Sequence, residues 1–133
     1  MLVLLVLSSL IACSYGLTEL PPDMQEMAKA LHDNCVDETG VDPGLIKPCE
    51  TGNFADDPKL KCYFKCIFAQ VGAISDDDVL DADAFASILP DTAVGLMKSV
   101  GACKESKGAD GCDLAMNFYK CVYDKDPASF IVI

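Results

Sequence analysis

The chain has 133 residues, 51% of them hydrophobic and 23% charged, with a formal net charge of −11. So acidic a surface is a poor partner for nucleic acid, and the length is enough for one domain with one core. No internal repeat, low-complexity tract or N-glycosylation acceptor is present.

Residues 1–16 are an uncharged apolar run ending in the small residues Ser14 and Gly16, which reads as a signal peptide cleaved before Leu17. The run is shorter than the roughly 20 residues of a membrane-spanning helix. The mature protein, residues 17–133, is therefore expected to be a soluble, secreted single domain without stable membrane insertion. Met24, Met27, Ala28, Leu31 and Cys35 then recur at the spacing of an amphipathic helix that starts near Pro21-Pro22. Asp42-Pro43 starts a short second helix, interrupted by Pro48. Asp57-Pro58 starts a third, with Leu60, Phe64, Ile67 and Val71 as its buried stripe and Gly72 as its end.

The acidic run Ser75–Asp78 is expected to be a solvated loop. It lacks the spacing and closing Glu of a calcium loop, so no metal site is expected there. Asp81 to Leu89 reads as a fourth helix, with Ala82, Phe85 and Leu89 on one side and Pro90 as its stop. Asp91 is placed to cap a fifth, striped by Val94, Met97 and Val100 with Leu96 beside them. After a turn at Gly108–Gly111, a sixth runs from about Cys112 to Tyr123. Leu114, Phe118 and Cys121 form one stripe on it; Ala115, Tyr119 and Val122 form the next. Asp126-Pro127 stops this helix, and the apolar tail that follows is expected to pack on its own domain, since a free one would be a poor ending for a soluble protein. The reading is all-α: six helices and no strand.

Of eight cysteines, Cys13 falls in the leader, which leaves seven and points to an oxidising compartment. Six form the series Cys35-x26-Cys62-x3-Cys66-x36-Cys103-x8-Cys112-x8-Cys121. Cys62 and Cys66 share one helical face and point to separate partners, so their helix should be clipped to two others. Spacing alone leaves many ways to join six cysteines. Cys49 is the odd one out, a partly buried thiol filling an apolar slot or an intermolecular bridge.

The five intervals together, on an acidic secreted chain of this length, resemble the insect odorant-binding proteins, the six-cysteine carriers of pheromones and general odorants. The resemblance implies Cys35–Cys66, Cys62–Cys112 and Cys103–Cys121, interlocked, and an apolar cavity within the helices. It carries pocket-lining roles onto Met24, Ala28, Leu31, Phe85 and Leu89, onto Leu96, Met97, Tyr119 and Val122, and onto Phe130 and Ile131 of the tail. In mosquito-type members a His and a Tyr hold the C-terminal carboxylate and fasten the tail over the cavity. The matching positions are His32 and Tyr63, each three residues before a cysteine of the expected Cys35–Cys66 pair, with Ile133 supplying the carboxylate. What the resemblance implies is a carrier of small hydrophobic odorants, pheromones, fatty alcohols or aldehydes in sensillum lymph, delivering them to a receptor and releasing them in acid. An odorant receptor and a second copy of the chain are its candidate protein partners. A non-olfactory carrier of hormone, lipid or amine is the alternative within the family.

An enzyme is not expected, and no cofactor is implied. His32-Asp33-Asn34-Cys35 matches a short motif of secreted phospholipases A2, but the upstream cysteine pair and glycine-rich calcium loop of that family are missing. No Gly-x-Ser-x-Gly elbow exists for the single histidine to serve. His32 also has a structural reading: in the last turn of the first helix, an imidazolium would favour the negative end of the helix dipole.

Overall fold

The computed structural model describes residues 20–133; the signal peptide expected at residues 1–16 lies outside them. Five α-helices follow in order: α1 (Pro22–Thr39), α2 (Pro58–Gln70), α3 (Ala82–Ser87), α4 (Val94–Ala102) and α5 (Gly111–Lys125). Two 3-10 turns, Pro43–Leu45 and Lys47–Thr51, join α1 to α2, and a third, Pro127–Ser129, follows α5. Among the described residues the one β contact is an isolated bridge between Ile74 and Leu80.

The three disulfides set the frame. Cys35–Cys66 clips α1 to α2, Cys62–Cys112 clips α2 to α5, and Cys103–Cys121 clips the end of α4 to α5, with Cα separations of 5.7, 4.5 and 5.9 Å. α2 therefore lies between α1 and α5, and its most extensive packing is on α5. The bridges span sequence separations of 31, 50 and 18 residues. Each stabilises by on the order of 3–4 kcal/mol in the chain-entropy picture.

Where α2 meets α5, aromatic side chains fill the centre. Phe68 stands edge-on to Phe85, Phe118 and Tyr119 at centroid distances of 5.3, 5.5 and 5.1 Å, and Phe64 meets Tyr119 at 4.9 Å. All five rings are buried. Such edge-to-face pairs add about 0.5–1.5 kcal/mol each beyond the area they bury.

Several sequence expectations shift in the structure. α1 runs past Cys35 to Thr39, because nothing breaks it before Gly40, whose φ of 66° closes the helix with an N–H bond to Val36 O at 2.9 Å. His32 therefore lies well inside the helix, away from its negative end. The short second helix is a pair of 3-10 turns: Pro48 has no N–H for an α ladder, so Leu45, Ile46 and Cys49 donate three residues back at 3.0–3.1 Å. α3 stops at Ser87, and Leu89 sits in a turn before Pro90, which disfavours helical backbone in the residue preceding it. Asp91 caps nothing. A turn closed by Ala93 N–H to Pro90 O at 2.8 Å separates it from α4, whose N-cap is Ala93.

The acidic loop is only partly solvated. Asp76 and Asp77 are exposed, but Asp78 pairs with Lys65 at 2.7 Å and accepts the Gly111 N–H at 3.2 Å. The Lys65 ammonium holds its carboxyl below the usual carboxylate range. A side chain at Gly111 would collide with it, since a Cβ there would stand 2.0 Å from Asp78 Oδ1. The carboxylate thus ties the loop to the first turn of α5.

Candidate functional site

The apolar stripe of α1 is unevenly covered. Cys35 is fully buried, Leu31, Ala28 and Met24 are half-buried, and Met27 is 45% exposed. Along these first turns the stripe faces Phe85, Ile88 and Leu89 from α3 and the turn behind it. Ile131 and Ile133 of the tail and Leu20 complete the lining of a recess. None of these side chains carries a nitrogen or oxygen atom. The recess is nearly closed, with free space of about 20 Å³, on the order of one water molecule.

Six of the residues singled out for a pocket line this recess: Met24, Ala28, Leu31, Phe85, Leu89 and Ile131. The other five lie elsewhere. Leu96, Tyr119, Val122 and Phe130 are buried in the packed core, and Met97 is half-buried on α4. Tyr119 lies outside the recess because its ring is committed to Phe64 and to Phe130, the latter at 4.6 Å. Phe130 in turn meets Tyr123 at 5.3 Å and Phe54 at 6.0 Å. Leu20, Met27, Ile88 and the side chain of Ile133 join the lining without having been singled out for it. Ile88 was legible as the i+3 neighbour of Phe85; Leu20 precedes the helix and carried no periodic signal.

The tail that roofs the recess is held at two points. Tyr63, fully buried on α2, donates its hydroxyl proton to the main-chain oxygen of Ile133 at 2.5 Å. His32 Nδ1 lies 2.8 Å from the same hydroxyl. Since the phenol proton is spent on Ile133, the imidazole must be the donor, which places a proton on Nδ1. His32 and Tyr63 meet because each stands one helical turn before a partner in the Cys35–Cys66 bridge. On α5, the Tyr119 hydroxyl donates to the main-chain oxygen of Ile131. Burial, above all, pushes both phenols above their ordinary pKa, so both remain donors.

The short His-Asp motif splits between two environments. While His32 turns to Tyr63, Asp33 turns to solvent and pairs with Lys29 at 2.5 Å, and the hydrogen bond from that lysine holds its carboxyl below the usual range. The two side chains thus serve different partners.

Comparison with known proteins places this geometry. The chain matches the PBP/GOBP family over residues 18–125. It is 32% identical over 125 residues to general odorant-binding protein 69a of Drosophila melanogaster, an alignment that covers 90% of this chain and 82% of that protein. Odorant binding protein 4 of Chrysopa pallens superposes with a TM-score of 0.74 at 30% identity, over 85% of this chain and 99% of that one. The Apis mellifera odorant binding protein 5 shares the fold at a TM-score of 0.76 and 22% identity, over 85% and 97% of the two chains.

Proposed function

Because the chain belongs to the PBP/GOBP family, we propose that it is a secreted carrier that holds a small hydrophobic molecule in the recess beneath its tail. In this reading it carries odorants or pheromones through sensillum lymph to a receptor. The observation that supports the site is the recess itself, whose all-apolar lining is completed by a tail fastened through His32, Tyr63 and Ile133. Free space of about 20 Å³ is too little for such a ligand. Binding must therefore move the roof or the flexible Met24 and Met27 side chains, and occupancy is coupled to the tail.

Release follows from the same coupling. In this proposal the Ile133 oxygen that accepts from Tyr63 belongs to a carboxylate, so the bond is charge-assisted and weakens when that carboxylate is protonated. An imidazolium at His32 keeps its Nδ1 proton, so protonating His32 leaves the donor in place. Ligand loss should follow protonation of the carboxylate in acid.

The test is a titration of an environment-sensitive apolar dye into the folded protein and into a His32→Ala, Tyr63→Phe double variant, from neutral to acid pH. The unmodified protein should bind near one-to-one and lose the dye in acid. The variant should bind about tenfold more weakly at neutral pH, the equivalent of one charge-assisted hydrogen bond, with a flattened pH profile. Equal affinity and equal acid loss in both would remove the tail latch from the mechanism; no dye binding at all would remove the carrier reading.

A further inference from the structure

We infer that the recess selects aliphatic hydrocarbon, and disfavours ligands whose polar group must sit inside it. The inference rests on the carrier reading and names the ligand class of that site. Its lining is aliphatic and thioether, with Phe85 as its one ring, so stacking offers little to an aromatic guest. No lining side chain can donate a hydrogen bond, and the Met24 and Met27 thioethers are only weak acceptors.

The donor protons that approach the roof are already committed. The Tyr63 and Tyr119 hydroxyls donate their only protons to the Ile133 and Ile131 oxygens, and His32 Nδ1 is spent on Tyr63. A carbonyl or hydroxyl oxygen carried into the recess thus leaves its water donors and meets no side-chain donor in their place, whereas a methylene chain gains dispersion contacts along its length. A polar group at the end of a chain can remain in solvent beside Met27, which is 45% exposed. A polar group in mid-chain has no such escape. The expected order is hydrocarbon, then terminal alcohol, then mid-chain alcohol. The first and last should differ by about ten- to a hundredfold, the cost of burying one unpaired hydroxyl.

The experiment is competition against a bound apolar dye by decane, its primary alcohol and the isomer with its hydroxyl in mid-chain, on the full chain and on Met24→Gln. That substitution puts an amide of similar length into the lining at a half-exposed position, where the helix tolerates it. Decane should displace the dye at least tenfold better than the mid-chain alcohol, and Met24→Gln should narrow that gap at least threefold. Dye binding with the two ligands within threefold of each other, or with the alcohol tighter, overturns the selectivity and leaves the carrier reading standing. An unchanged gap in Met24→Gln overturns its assignment to this recess. A protein that binds no dye overturns the carrier reading itself.

Discussion

Cys49 shows how much one residue's environment can decide. It is fully buried, and its Sγ donates to Leu45 O at 3.4 Å within the 3-10 turns. Burial pushes its thiol from the ordinary 9.0 up to about 11. The folded protein therefore keeps a proton that the unfolded chain loses first. The stability this contributes is complete below pH 9.0 and is lost as pH rises toward about 11. Native protein at pH 8 should resist alkylation and be labelled at Cys49 once unfolded, and Cys49→Ala should flatten the decline in urea-unfolding free energy between pH 9 and 11. Labelling of the native state would show the thiol to be accessible. That one cysteine lacked a partner was legible by counting. A partly buried thiol was one of its two readings; that burial is complete depends on the turn that Pro48 forces. His32 was misplaced at a helix end for a related reason: the sequence from Val36 to Thr39 neither demands nor forbids another turn, and Gly40 decides it.

At the scale of elements, Asp57, Asp81 and Asp110 accept the N–H of Leu60, Ala84 and Asp113 at 2.9, 3.0 and 2.8 Å, each starting a helix. Asp91, with the same sequence credentials, makes no such bond. Replacing Asp110 by Ala should therefore destabilise by about 1 kcal/mol in urea unfolding, while Asp91→Ala should stay within about 0.5 kcal/mol. Similar costs for the two would mean that α5 does not depend on its cap. Helix existence was legible because stripe, cap and proline agreed for most segments. Where they conflicted, as at Pro43–Thr51 and at Leu89-Pro90, backbone hydrogen-bond geometry overrode side-chain periodicity. The disulfide pairing could not be read from spacing; it came with the family resemblance, and the three bridges have that connectivity.

For the molecule as a whole, the aromatic packing between α2 and α5 fills the middle and displaces the recess to the flank of α1. Position along a helix does not reveal this, since Tyr119 and Leu31 both look like inward-facing residues until their neighbours are known. Tail contacts are also long-range, with Tyr63 and Ile133 separated by 70 residues; composition pointed to a tail packed on its own domain, the family resemblance named the Tyr63–Ile133 contact, and neither named the Tyr119–Ile131 one. The most direct test of ligand placement uses methyl-labelled methionine, because the four described methionines divide cleanly: Met24 and Met27 line the recess, while Met116 is in the core and Met97 is on α4. Titration with decane, followed by methyl NMR with intermolecular NOEs, should shift and cross-relax Met24 and Met27 while leaving Met97 and Met116 largely unmoved. NOEs from the ligand to Met97 or Met116, with Met24 and Met27 silent, would contradict a ligand site beneath the tail.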